Sequence, residues 1–355
     1  MTHPSAEPLV PRTPATRFQG SKLKLLDWLW GHLRPLRFHT VLDAFSGSAC
    51  VSHFFKGRGK SVTCNDLLTS SYLCGLALVE NERERLADDE ADALTGRRGT
   101  VHYDDLIART FSGIYFTDEE NAWLDVVAQN IPTVSCPYRR AIAWYALFQS
   151  AMAKRPYNLF HRRNLYMRLA PVARTFGNKA TWDKPFDAHF RHFVRQANAA
   201  ITCGEPCRAV NGDALAVAGE FDLVYIDPPY LNRRGVGVDY HGFYHFLEGL
   251  ASYGHWEARI DFDSAHRRMK PVPSPWTSRA QIHGAFRELF RRFGESTIAV
   301  SYRSDGIPSV EELVDLLREV KRNVVVHRRE APYKYVLSTN AASQEVVLIG
   351  TDEAT

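Results

Sequence analysis

The sequence predicts an α/β fold with a mostly parallel sheet and a long, mainly helical insertion. One observation is the apolar run Leu223-Val224-Tyr225-Ile226, which ends at Asp227-Pro228-Pro229-Tyr230. An unbroken apolar run reads as a buried strand, and two prolines stop it because they donate no backbone N–H and fix φ. A second is Val41 to Ala49, where an apolar strand turns through Asp43-Ala44-Phe45-Ser46-Gly47-Ser48 into a helix predicted over Cys50 to Lys56. A third is the C-terminal alternation of apolar segments with an amphipathic one.

Taken in order, Met1 to Thr16 is rich in Pro, Thr and Ala and lacks the apolar core of a signal peptide, so residues 1–16 are expected to form a flexible tail. Ser61-Val62-Thr63-Cys64 reads as a second strand, ending in Asn65-Asp66. Farther on, Pro271-Val272-Pro273-Ser274-Pro275 reads as a stiff linker or surface loop, with Arg267, Arg268 and Lys270 beside it as a further phosphate contact. Thr297 to Tyr302 is a strand, Ser309 to Lys321 a helix capped by its serine, and Asn323–His327 and Glu345–Gly350 are strands that can pair as a hairpin. Tyr302-Arg303-Ser304-Asp305-Gly306 ends its strand at the edge where Asp227 lies; a plain turn is the competing account.

The chain has 355 residues, more than a usual single core, and 45% of them are hydrophobic. No stretch is long and apolar enough to span a membrane, so a cytoplasmic location is expected. Its six cysteines read as reduced thiols. Cys203 and Cys207 have no second pair at metal-ligand spacing, and no metal is expected.

The strand ends carry the chemistry, because ligands bind at the carboxyl edge of open α/β sheets. Asp227 and a rigid carbonyl beside it can accept both N–H donors of an amino group on a base, and Tyr230 offers a flat face for the ring. The loop after the first strand has neither G-x-G-x-x-G nor a Walker lysine, which argues against a pyrophosphate site. Gly47 still lets a ligand approach the backbone, and the helix start favours a carboxylate, as on the amino-acid end of S-adenosylmethionine. Asp66 is placed to accept ribose hydroxyls, and Asp213 to receive the amino group of the cofactor's adenine.

Net charge is only +4, but it is unevenly spread. Between Arg139 and Arg195 lie twelve basic residues, against Asp183 and Asp187, whereas acids gather in Glu80–Asp92 and Asp118–Asp125. Such a stretch would present one face to an acidic polymer, with nucleic acid the natural candidate. Within it, Lys154, Arg155, Tyr157, Asn158, Arg162, Arg163 and Asn164 interleave charge with aromatic and amide groups, and Arg139 and Arg140 precede them.

Together these features resemble the D12 class of DNA adenine methylases over nearly the whole chain. Arg17-Phe18-Gln19-Gly20-Ser21-Lys22 resembles the family's K-W-A-G-G-K segment, which implies that Phe18 and Lys22 contact the cofactor. Asp43, Phe45 and Gly47 fall in its cofactor loop, Asp66 on its ribose-binding acid, and Asp227 to Tyr230 on its catalytic D-P-P-Y. The departures are Phe18 for tryptophan, Gln19 for alanine and Ser21 for the second glycine. Tyr240 to Phe246 resembles the aromatic segment around a flipped base, where Phe243 and Tyr244 are alternative contacts. The resemblance implies a Rossmann-like methyltransferase sheet with its last strand antiparallel. It also implies a catalytic domain over 17–79 and 201–355 and a target-recognition insertion over 80–200.

The expected activity is S-adenosylmethionine-dependent methylation of adenine N6 in a specific duplex DNA sequence, by base flipping. A partner restriction endonuclease is compatible with this, as is an orphan role. The rivals are an RNA adenine methyltransferase, a catalytically silent DNA-binding module and, more weakly, a dinucleotide oxidoreductase. Cytosine methylation goes with S-P-P-Y and glutamine or RNA guanine methylation with N-P-P-Y, so Asp227 favours adenine.

Overall fold

The computed structural model describes residues 13–171, 179–232, 235, 237–330 and 343–352. Its strands are β1 (Thr40–Asp43), β2 (Ser61–Asp66), β3 (Arg208–Asn211), β4 (Leu223–Ile226), β5 (Leu231–Asn232), β6 (Thr297–Arg303), β7 (Gly306–Ile307), β8 (Asn323–Arg328) and β9 (Glu345–Thr351). Seven of them form one sheet in the order β3-β2-β1-β4-β6-β9-β8. All neighbours are parallel except β9, which runs against both β6 and β8. The expected reversed final strand and C-terminal pairing are therefore present. β5 and β7 make a separate antiparallel ribbon.

Both sheet faces are covered. Along β4, Leu223 and Tyr225 enter one hydrophobic core, while Val224 and Ile226 enter the other. All four are at most 1% exposed, which is why the strand reads as continuously apolar. Burying each of its aliphatic side chains contributes about 1.5–3 kcal/mol.

Between β2 and β3 the chain is helical, including Asp118–Asn130, Pro137–Ala153 and Phe186–Ala200. Thr117 caps the first of these: its Oγ1 accepts from the Glu120 N–H, and the Glu120 carboxylate accepts from its own. Ile142, Tyr145 and Phe193 share one continuous core with Val41, Leu223 and Val347 of the sheet. The predicted Cys50–Lys56 helix has those bounds. The C-terminal helix is capped by Ser309 but stops at Arg318, three residues before the expected end.

The sheet order reverses between β1 and β4, because the chain goes from β1 outward through β2 and β3 and then returns to β4 on the other side. A crevice opens beyond their carboxyl ends. Its far wall is the Tyr240–Ala251 helix. Gly249 on that helix admits Trp256, since a Cβ there would stand 1.8 Å from the indole Cε2. Gly249→Ala should cost about 1–3 kcal/mol by overpacking, visible as a lower urea midpoint with an unchanged slope. An unchanged midpoint would mean that the indole has room to shift.

Candidate active site

The crevice is a cavity of about 340 Å³. Phe18, Lys22, Asp43, Phe45, Gly47, Asp66 and Asp227 all line it. Register explains much of this: Asp43 pairs with Tyr225 across β1 and β4, so the acids ending the two strands converge.

At one end lies the loop after β1. Gly47 has φ +50°, and a Cβ there would be 3.3 Å from the Phe18 ring, so both backbone and space call for glycine. Its N–H donates to Asp66 Oδ2 at 2.8 Å, while Asp66 Oδ1 accepts from the Leu68 N–H at 2.9 Å. Asp43 Oδ2 accepts from Ser52 Oγ at 2.6 Å. Buried Asp43 Oδ1, Gln19 Oε1 and Ser46 Oγ have no hydrogen-bond partner among the described residues, although all three residues line the cavity. Unpaired buried acceptors in one cavity are what a ligand rich in N–H and O–H donors would satisfy.

Burial pushes the Asp43 carboxyl up to about 7, helped by repulsion from Asp227 and Asp66 and opposed by Ser52. A folded pKa above the ordinary value of 3.8 means that the folded protein binds the proton more tightly. Stability from this group is therefore present below about pH 4 and is lost as pH rises toward 7. Asp43→Asn should be more stable than wild type at pH 8 by roughly 1–3 kcal/mol. That advantage should fade by pH 5, as followed by thermal melts across pH, and a gap independent of pH would refute the assignment.

The other end is built around Lys22. Its ammonium lies 3.0 Å from Asp227 Oδ1 and 3.2 Å from Glu345 Oε1, and it donates to Tyr230 Oη at 2.6 Å. Tyr230 in turn donates to Asp227. These carboxylates hold the Lys22 pKa up against the desolvation that would lower it. Asp227 is pushed up to about 6, first by burial and then by Glu345, with Lys22 and Tyr230 opposing. Tyr230 is 6% exposed and, like Pro228, is not part of the cavity lining; its ring meets Tyr302 edge-on at 5.1 Å. The Tyr302 hydroxyl donates to the Ile307 carbonyl, and β7 pairs with β5 immediately after Tyr230. Tyr302 to Gly306 thus braces Tyr230, while Arg303 pairs with Asp305.

Several expectations are corrected by position. Asp213 is exposed, accepts from the Leu215 N–H and does not line the cavity, because β3 is an edge strand two removed from β1. Tyr244 is fully buried: its ring stacks on Phe18 at 4.3 Å and its hydroxyl accepts from the Gln19 N–H. Phe243 instead faces His161. Tyr240 lines the cavity, on the same helix face as Tyr244 and Glu248. The Glu248 carboxylate accepts from the N–H groups of Thr69 and Ser70 and so fixes the helix that follows Asp66. The spacing 240, 244, 248 was the available sequence signal. The loop read as surface also contributes, with Val272, Ser274, Trp276 and Thr277 in the lining. Nearby, Arg268 pairs with Asp261, and Lys270 donates to the Ala258 carbonyl.

The basic stretch is corrected most. Lys154 and Arg155 are buried: Lys154 donates to the carbonyls of Trp182 and Lys184 and pairs with Glu120. Arg155 donates to the carbonyls of Leu159 and Arg162, and burial lowers its pKa to about 9. Both follow directly on the Pro137–Ala153 helix, and the carbonyls they satisfy belong to later segments that fold back against its end. The acidic segment, moreover, folds against the basic one: Arg139 pairs with Glu84 and Glu90, Arg191 with Asp92 and Arg195 with Asp88. Arg140 donates to the Val134 carbonyl, and Asn164 is buried. Arg162 and Arg163 are exposed, as is Tyr157. Arg174 lies outside the described residues.

A second, wider cleft of about 940 Å³ shares Phe18 to Ser21 with the first. Arg17, Lys24, Lys184 and Arg329 line it, together with Tyr157 and Asn158. No helix among the described residues is long and apolar enough to cross a membrane.

Comparison with known proteins gives a match to the family described as D12 class N6 adenine-specific DNA methyltransferase, over residues 18–255. The chain is 27% identical to Type II methyltransferase M2.HphI of Haemophilus parahaemolyticus, covering 94% of this chain and 96% of that protein. It is 21% identical to Modification methylase LlaI of Lactococcus lactis subsp. lactis, over 92% of this chain and 52% of that protein. To Type II methyltransferase M.CviAII of Paramecium bursaria Chlorella virus 1 it is also 21% identical, covering 90% and 93%.

Proposed function

Because this chain belongs to the D12 class of N6 adenine-specific DNA methyltransferases, we propose that it methylates one adenine in a specific duplex DNA sequence, using S-adenosylmethionine and an extruded target base. The observation that carries this reading is the single cavity joining the unpaired acceptors behind Gly47 to the Asp227 carboxylate.

The cofactor fits the residues present. Asp43, Gln19 and Ser46 would take its donors, Asp66 its ribose and Phe18 its apolar side, and it would supply an electrophilic sulfonium methyl. Asp213 has no part in this. Amino nitrogens conjugated to a purine are poor nucleophiles. The Asp227 carboxylate and the Pro228 carbonyl, by accepting its two N–H groups, would localise the lone pair. Pro229 keeps that carbonyl rigid. Asp227 can then take the proton once the methylated nitrogen becomes acidic. The Tyr230 ring, backed by Tyr302, is the proposed stacking surface, with Tyr240 in place of Phe243 or Tyr244 as the second aromatic near the base.

Duplex DNA would lie along the wider cleft, and residues 80–200 would supply target recognition. Arg162, Arg163, Tyr157 and the cleft cations are its contacts, without Lys154 and Arg155. Arg163→Ala should weaken duplex binding and reduce the salt slope by about 1, with stability unchanged. Arg155→Ala strands the carbonyls it serves and opens a cavity, so it should destabilise the fold by roughly 2–5 kcal/mol and leave the salt slope alone; the reverse pattern would restore Arg155 as a phosphate contact. Similarity to a type II methyltransferase and a modification methylase favours a restriction-modification setting, with a partner endonuclease.

Calorimetric titration with S-adenosylmethionine tests the cofactor half. One-to-one binding that weakens in Asp43→Asn and persists in Arg163→Ala supports it, whereas no heat of binding in wild type would overturn it.

A further inference from the structure

Glu345 opens β9, the reversed strand, and is fully buried. It accepts from Ser301 Oγ at 2.7 Å and lies 3.2 Å from the Lys22 ammonium, the same ammonium that contacts Asp227 and Tyr230. One buried cation therefore contacts two carboxylates, Glu345 fully buried and Asp227 partly so. Lys22 balances one negative charge, and the second carboxylate on the same ammonium sets a further charge within reach of Asp227. Glutamine at 345 would keep an acceptor for both Ser301 and Lys22 while removing the charge.

We infer that Glu345 is a positioning residue for methyl transfer, which shares Lys22 with Asp227 so that the Asp227 carboxylate keeps acceptor strength for the target amino group. The inference rests on the assignment of Asp227 to that amino group. If Asp227 alone held Lys22, its charge would be largely committed to the ammonium. With Glu345 drawing on the same three N–H donors, Asp227 retains basicity. The direction of the Asp227 shift, raised by Glu345 and lowered by Lys22, agrees with this geometry. Other groups facing the pair are Asp43 on β1, Tyr225 on β4, Tyr230 after β4 and Tyr240 on the neighbouring helix. At the end of β6, Arg303 is paired with Asp305, whose carboxylate also accepts from Ser343.

The experiment is the pH profile of kcat/KM for duplex methylation by wild type, Glu345→Gln and Glu345→Asp. Activity falls on the acid side as Asp227 takes a proton. Removing the Glu345 charge lowers the Asp227 pKa, so the acid limb of Glu345→Gln should move down by about one pH unit. Its kcat at pH 8 should fall roughly three- to tenfold with KM for DNA unchanged, as Asp227 becomes a weaker acceptor. Glu345→Asp draws the carboxylate back from Lys22 and should show a smaller shift of the same sign. An acid limb at its wild-type position in both variants, or in Glu345→Asp alone if the glutamine variant does not fold, overturns the inference. Should wild type transfer no methyl to DNA, the functional assignment fails instead. Carboxyl ¹³C titration of Asp227 in wild type and variant then decides the coupling: a lowered pKa in Glu345→Gln upholds it, and an equal pKa removes it.

Discussion

Asp227→Ala should lower the rate of methyl transfer by roughly 10²–10⁴, with the affinities for duplex DNA and S-adenosylmethionine kept within a few-fold. The asymmetry follows from the position of the carboxylate. It sits at the end of β4, past the last ladder residue, with Tyr230 and Lys22 fixing its orientation. The unpaired acceptors at the Gly47 end make no hydrogen bond to it. Single-turnover kinetics with saturating cofactor separate chemistry from binding. Retained turnover would remove Asp227 from the reaction, and a loss confined to cofactor affinity would place it in the wrong half of the cavity.

Lys22→Met should have the next largest effect, and on two observables. It removes the buried ammonium that both Asp227 and Glu345 contact, which should destabilise the fold by about 3–5 kcal/mol near neutral pH. Asp227, which Lys22 otherwise holds down, would then favour its protonated form, so stability should recover as pH falls toward 5. For the same reason the acid limb of activity should move up in pH, opposite to the shift expected of Glu345→Gln. Denaturant midpoints at pH 5 and pH 8 test the first statement and the rate profile tests the second. A variant equally stable at both pH values would show that Lys22 is not balancing these charges.

Strand identity was legible wherever burial on both faces leaves an unbroken apolar run, as in β4, or where a run ends in an acid, as at Asp43 and Asp66. The same feature made the cavity lining readable, since residues at the carboxyl ends of β1, β2 and β4 meet at one edge whatever lies between them in sequence. Asp213 was misplaced because β3 also ends in an acidic turn, and nothing local reveals that β3 is the outermost strand. Glu345 escaped because it begins the reversed strand. Its contact with Lys22 spans nearly the whole chain and leaves no periodicity behind.

Composition misled more than pattern did. Counting charges between Arg139 and Arg195 took each one to be solvated and opposed only by neighbours in sequence. Folding instead brings Glu84, Asp88, Glu90 and Asp92 against those arginines and draws Lys154 and Arg155 inward to carbonyls. The cations that line the wider cleft include Arg17, Lys24 and Arg329, which come from outside the stretch. The Pro271–Pro275 segment was similarly misjudged: its stiffness was readable, but not the return of Val272 and Ser274 to the cavity.

The most direct test is to incubate the purified protein with methyl-labelled S-adenosylmethionine and mixed-sequence duplex DNA, with RNA in parallel, and to identify labelled nucleosides by mass spectrometry. Labelled N6-methyladenine in DNA, absent with Asp227→Ala, is the predicted result. Label in RNA alone, in cytosine, or in neither nucleic acid would contradict the account.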